Sequence, residues 1–390
     1  MCTMKLGEGT YGVVKRVDEH AVKKIRSVCF ESAIREIAYL RACDHPNVIK
    51  MSTIAVDDTD TFRLTVDLYT CDLKSFIKAQ TKMDIKWAYN IAHDIINATD
   101  YLHARGIIHC DICPGNILLK ITDGTVSNAV ICDLGISILD NEEIHTTKVQ
   151  TLMYRAPEID YDATDMIYSY HVDVWSIGCV LFELVCGYTL HPINSANDTS
   201  IFVAEMMKIS PDDKTTRTSR IKALKERTHK QVYTDVLDRF SLCGDRKCEN
   251  IPDDYTRLIA MCLIPDSQMR ITSRDLLTLA NDLFKKNTRN NVIPLYTVKY
   301  DSDETECLTN VSLDIIKHLR DCACSCAESI YQDFASVASV TFTTQLACIY
   351  ISTCVYSNSN ADRAIMKFVD IDTLHAECRR ILTTLDGRLL

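Results

Sequence analysis

Three of the chain's 11 glycines fall within six residues, in Gly7-Glu8-Gly9-Thr10-Tyr11-Gly12-Val13-Val14. Without a Cβ, glycine lets backbone N–H groups approach phosphate oxygens directly. A dinucleotide-binding turn uses the same G-x-G-x-x-G spacing but opens a helix. Here Val13 and Val14 continue a strand, which points to a glycine hairpin instead. Ala21-Val22-Lys23 places a cation on the next strand. Glu36 lies thirteen residues on, where it can form an ion pair that positions the Lys23 ammonium. A second group follows in His109-Cys110-Asp111-Ile112-Cys113-Pro114-Gly115-Asn116, and a third in Asp133-Leu134-Gly135 after the apolar Ala129 to Ile131. A carboxylate to take a hydroxyl proton, an amide and a carboxylate to hold a divalent cation, and a cation on phosphates are the parts of phosphoryl transfer. Singly, each residue reads more simply as a solvated charge or a turn. In this order and spacing, the chemical reading outweighs the bland one.

These residues need elements to hold them. Residues 1–65 read as short strands with one helix, and Asp18-Glu19-His20 is a tight polar connection between two of the strands. Ile34, Ile37, Ala38 and Leu40 recur at near-helical spacing, which predicts a helix over Ser32 to Arg41 carrying Glu36. From Leu73 onward helix patterns dominate, with Lys86 to Arg105 a long amphipathic candidate closed by Gly106. Val172 to His191 is the most apolar run, interrupted by Asp173 and Glu183. Its core from Trp175 to Val185 would rise only about 16 Å as a helix, too short for a bilayer, and predicts a buried helix.

Composition sets outer limits. At 390 residues the chain has room for two or three domains, and 47% hydrophobic residues supply ample core. A net charge of −10 without a dense Lys/Arg block argues against nucleic acid as a partner, and no membrane partner is expected. The 19 cysteines, with no signal-peptide pattern at Met1 to Gly12, read as reduced thiols in an intracellular setting.

Together the motifs resemble the cyclin-dependent kinases over about residues 4–286. Gly7 to Val14 reads GEGTYGVV, Ser32 to Ile37 reads SAIREI, Asp44 to Ile49 reads DHPNVI, and Thr151 to Glu158 reads TLMYRAPE. The resemblance implies a protein Ser/Thr kinase that uses ATP and Mg2+ on protein substrates. Its fold would be α+β and bilobal, a small antiparallel β lobe (1–66) with one helix and a large helical lobe (70–286). It implies that Lys23, Glu36, Asp111, Asn116 and Asp133 are catalytic, with Asn116 and Asp133 holding the metal. ATP would be bound by Gly7, Glu8, Gly9, Thr10, Tyr11, Gly12, Val14, Ala21 and Lys23, with Val66 behind the adenine and Asp67 and Tyr69 giving hinge backbone bonds. Thr10 and Tyr11 match inhibitory phosphorylation positions and Thr146 the activating one. Ala156-Pro157-Glu158 would end the activation segment, with Arg270 pairing with Glu158.

Three departures qualify the resemblance. Cys110 and Ile138 stand where the family has arginines, so only Arg35 remains to cradle a phosphate on Thr146. Cys113 replaces the lysine that neutralises the transferring phosphoryl group, which should slow the chemistry. Gln150 replaces a small apolar residue in the pocket for a proline after the target site, which would relax proline-directed specificity.

After Phe284 the texture changes: 287–309 reads as a polar linker and 310–390 as helical. The order of its helices looks like a single cyclin box, an all-α domain that would activate the kinase in cis. His318, Cys322, Cys324 and Cys326 cluster within it, and buried small apolar cysteines explain them more simply than zinc does. The rival to an active enzyme is a pseudokinase, or a cyclin-like binding module, with little phosphotransfer. The expected location is intracellular, in cytoplasm or nucleus, with a cell infected by a large DNA virus as one setting.

Overall fold

In the computed structural model the described residues are 4–9, 12–26, 29–56, 61–140, 143–144, 150–161, 166–167, 169–190, 222–223, 225–242, 247–248, 250–287 and 371–384. Two compact units divide the chain: 1–68 with 133–142 and 297–390, and 69–132 with 143–296. The expected linker (287–309), the expected cyclin-box-like domain (310–390) with its cluster at His318 to Cys326, and the positions Thr10, Tyr11 and Thr146 lie outside the described residues, apart from Asn287 and the helix 371–384.

The first unit is built on an antiparallel sheet of five strands, β1 (Met4–Glu8), β2 (Gly12–Val17), β3 (His20–Ile25), β4 (Met51–Val56) and β5 (Phe62–Asp67), in the order β1-β2-β3-β5-β4. The expected hairpin of Val13-Val14 with Ala21 to Lys23 is present, with Val14 opposite Lys23. Asp18 takes a positive φ of 53° in its turn, a conformation that Asp tolerates better than most residues. Helix α1 (Phe30–Ala42) extends the predicted one slightly at each end. It buries Ala33, Ile34, Ile37, Ala38 and Leu40, an apolar stripe that fixes which way Glu36 faces. One further helix of this unit, Ile371–Thr384, packs on β4. Its buried Leu374, Cys378, Ile381 and Leu382 form one apolar stripe at helical spacing.

The second unit is mainly helical. Helices α2 (Leu73–Ala79) and α3 (Ile85–His103) each start at an aspartate, Asp72 and Asp84, whose carboxylate accepts from a first-turn amide. Helix α3 matches the amphipathic candidate, and Gly106 just beyond it has φ +73°. After the short α4 (Glu158–Tyr161), helix α5 (His171–Cys186) is buried along Val172 to Cys186, as its apolar composition predicts. No helix among the described residues is long and apolar enough to cross a membrane.

Helix patterns do not account for everything after Leu73. Strands Cys71–Asp72, Ile117–Thr122 and Thr125–Ile131 form a three-stranded antiparallel sheet. The last two are joined by Asp123-Gly124, both at positive φ (51° and 73°), the two-residue turn whose twist matches a hairpin. Asp-Gly between β-branched runs is itself a hairpin signal, and it explains why this stretch is not helical. None of the described cysteines is in a disulfide.

Candidate active site

The glycine loop is a hairpin. Gly7 pairs with Val14 and Glu8 with Val13, and the Gly9 amide donates to the Gly12 carbonyl at 3.0 Å. This strand–turn–strand path differs from the strand–turn–helix path of a dinucleotide-binding turn. A Cβ on Gly12 would sit 2.3 Å from the Lys24 carbonyl oxygen, so the closeness of β2 to β3 requires glycine there. Glu8 is salt-bridged to Lys5 at 2.6 Å and Arg26 at 2.9 Å, contacts that hold its carboxyl below the usual range, Lys5 first. Ala21 faces Val66 across β3 and β5, and both are buried. Asp67 ends β5, and its amide donates to the Lys50 carbonyl at 3.3 Å. Tyr69 begins the second unit.

Beside this loop, Lys23, Glu36 and Asp133 come together. The Lys23 ammonium contacts the Glu36 carboxylate at 2.7 and 2.8 Å and Asp133 Oδ1 at 2.9 Å. Glu36 is only 4% exposed. Burial alone would pull the lysine down, but the Glu36 and Asp133 carboxylates outweigh it and hold Lys23 above the usual lysine range. Burial pushes the Glu36 carboxyl up, opposed by the Lys23 ammonium and reinforced by the nearby Asp133 charge. Asp133 has φ +69°, in the left-handed region that Asp adopts more readily than most non-glycine residues. The segment after it is tied to α1: the Ser32 hydroxyl donates to the Gly135 carbonyl at 2.9 Å, and Arg35 reaches the same oxygen at 3.4 Å. Leu134 and Ile138 are buried, so Ile138 offers no charge to a phosphate.

In the second unit, Asp111 and Asn116 form a separate cluster. Asn116 Nδ2 donates to the Asp111 carbonyl and to Asp111 Oδ2, both at 2.9 Å. With the amide nitrogen turned to Asp111, the Asn116 side-chain oxygen is the atom left to meet a cation. That oxygen and the Asp133 carboxylate are hard donors of the kind magnesium takes. No group of three or more His, Cys, Asp or Glu that could hold a metal occurs among the described residues.

Two residues complete this cluster that motif spacing alone did not single out. Thr151 donates to Asp111 Oδ1 through both its amide, at 2.9 Å, and its hydroxyl, at 2.7 Å. The only sequence hint is its place at the head of TLMYRAPE. Asp173, wholly buried, accepts from the His109 amide at 2.7 Å and the Cys110 amide at 2.9 Å, and pairs with His103 Nε2 at 3.0 Å. Cys110 has φ +63°, so Asp173 holds a strained turn directly before Asp111. Asp173→Ala should strand two buried amides and cost about 3 kcal/mol or more. A fall in Tm of roughly 6–12 °C is expected; a Tm unchanged in calorimetry would refute this role for Asp173.

Cys113 is buried, and burial first, then the charge of Asp111, pushes its thiol up to about 12. The raised value disfavours the thiolate, and because a thiol has no cationic form Cys113 supplies no positive charge near Asp111. Gln150 has φ +65° and lies 5% exposed. Its side chain donates to the Val172 carbonyl at 2.9 Å and Ser176 Oγ at 3.0 Å, and accepts from the Ala156 amide at 2.8 Å. The amide is thus used inside the unit rather than offered to a peptide. Arg270 meets Glu158 as the sequence suggests, with two parallel contacts at 2.7 and 3.0 Å.

Comparison with known proteins adds a family. The family described as "Protein kinase domain" matches residues 2–280. A CTD kinase subunit alpha homolog of Encephalitozoon cuniculi is 32% identical over 193 residues, 47% of this chain and 56% of that protein. Mitogen-activated protein kinase 13 of Arabidopsis thaliana is 32% identical over 225 residues, 53% of this chain and 60% of that protein. A serine/threonine-protein kinase MRK1 homolog of Encephalitozoon cuniculi is 29% identical over 219 residues, 53% and 66% of the two lengths. The matches span less than two thirds of the length of each of these relatives.

Proposed function

Because the chain belongs to the protein kinase domain family, we propose that it is an enzyme that transfers the γ-phosphate of ATP to Ser or Thr of other proteins. The observation that carries this reading is the assembled Lys23–Glu36–Asp133 cluster, with all three contacts within 2.9 Å. ATP binding alone would use the same cluster; what favours transfer is Asp111, held by Asn116 and Thr151 in the place of a base that only phosphotransfer needs. In this reading Lys23 grips the phosphates and Glu36 fixes it in place. Asp111 is aligned through both carboxylate oxygens and accepts the substrate hydroxyl proton. Asn116 and Asp133 would hold the magnesium, which supplies positive charge against the phosphate oxygens. The test is transfer of labelled phosphate from ATP to protein by the full chain, followed by phosphoamino-acid analysis. Label on serine or threonine that chelation of magnesium with EDTA abolishes is expected; no transfer to any protein, with the chain folded, would overturn the reading.

The finer reading is a cyclin-dependent-kinase type of enzyme. The motifs from Gly7 to Glu158 support it. It divides the chain into a kinase domain (1–286), a linker (287–309) and a cyclin-like activator (310–390), acting inside cells. The second reading, ATP or partner binding with little transfer, is favoured by one observation, the buried Cys113 beside Asp111 where the resemblance implies a lysine. Restoring a cation separates the two. Cys113→Lys is expected to raise the single-turnover rate by up to about tenfold, or 1.4 kcal/mol. An unchanged rate with ATP binding intact would mean that another cation already serves the phosphoryl group.

A further inference from the structure

We propose that the helix Ile371–Thr384 is a tethered brace that pins the start of α1 and thereby keeps Glu36 on Lys23; the proposal rests on the kinase reading only for its effect on catalysis. Helix α1 begins at Phe30 without a capping side chain, because Cys29 at its N-cap makes no side-chain hydrogen bond to the first turn. Uncapped helix starts fray unless packing holds them.

Here packing does so. The Phe30 ring is 6% exposed and lies 5.4 Å from the Phe62 ring of β5. It is covered by the tail helix: His375 stacks on it at 3.8 Å and 11°, and the Arg379 guanidinium lies 5.6 Å from its centroid. His375 and Arg379 are four residues apart, so one helical face presents both. Leu374, Cys378, Ile381 and Leu382, all fully buried, seat the same helix, which also packs on β4.

The consequence for the candidate site follows from distance along α1. Glu36 is six residues beyond Phe30, a rise of about 9 Å. Movement of the first turn is carried to the Lys23–Glu36 pair and, through Ser32, to the Gly135 carbonyl next to Asp133. The tail helix has 14 residues, and a lone helix of that length is marginal in water. Its folding and its docking on Phe30 are therefore coupled, which makes the brace a device that can be released. This narrows cis activation from the whole of residues 310–390 to one helix and one aromatic contact.

The test compares the full chain, the full-length double variant His375→Ala with Arg379→Ala, and a chain ending at residue 370. Hydrogen exchange of the α1 amides is measured alongside phosphotransfer. The expected result is exchange of the first turns of α1 about tenfold faster in both variants, with phosphotransfer falling about tenfold. A synthetic peptide of residues 368–390 should restore both in the truncated chain. Unchanged α1 exchange in the double variant overturns the brace, whether or not activity falls. Should the truncated chain fail to fold, the double variant decides alone. Should the full chain show no phosphotransfer, the kinase reading fails while α1 exchange still decides the brace.

Discussion

Lys23→Met is expected to lower phosphotransfer by about a hundred- to a thousandfold while leaving the circular dichroism spectrum that of the native chain. Methionine keeps the length of the side chain but removes the ammonium that contacts Glu36 at 2.7 and 2.8 Å and Asp133 at 2.9 Å. Two carboxylates would then face each other around an uncharged chain, one of them almost wholly buried. Glu36 responds by taking up a proton, since burial already pushes its carboxyl up and the opposing Lys23 charge is gone. A carboxyl whose folded value lies above its unfolded one stabilises the fold at low pH and loses that contribution as pH rises through the folded value. The variant's stability deficit should therefore grow as pH climbs from about 4.5 toward neutrality, the starting value being the ordinary one for glutamate. Urea titrations at several pH values read this directly. Wild-type activity in the purified variant, or a stability deficit independent of pH, would refute the role given to Lys23.

Asp111→Asn is the second large effect, with an expected loss of about a hundred- to ten-thousandfold in kcat. Asp111 accepts from Thr151 twice and from Asn116 once through its two carboxylate oxygens. An asparagine must turn an N–H2 group toward one of these donors, so it breaks the alignment as well as removing the base. Steady-state kinetics should show the loss mainly in kcat with KM for ATP little changed, because no ATP-gripping role falls to Asp111. A variant that kept full kcat would mean that another group takes the hydroxyl proton.

Much of this site is legible in the sequence because its geometry is local. Asp111 and Asn116 are five residues apart in one loop. Glu36 sits on the helix predicted from Ile34, Ile37, Ala38 and Leu40, and Lys23 on a strand two residues after an alanine that packs inward. Residue type, period and separation suffice where the partners share an element or follow one another closely. The sheet from Ile117 to Ile131 departs from the helical reading after Leu73: its apolar runs look alike whether they become strand or helix, and only the Asp123-Gly124 turn marks the hairpin.

What the tertiary structure alone decided lies in contacts between residues far apart in the chain. Thr151 reaches Asp111 across 40 residues, and Asp173 reaches the His109 amide across 64. Gln150, which by resemblance stands in a peptide pocket, turns its amide inward to Val172, Ser176 and Ala156. The stripe of Leu374, Cys378, Ile381 and Leu382 announces an apolar face, yet nothing in its period names Phe30 and β4 as the surface it covers. Periodicity tells which face of a helix must leave water; which partner receives it depends on shape and on every other face that is buried at the same time.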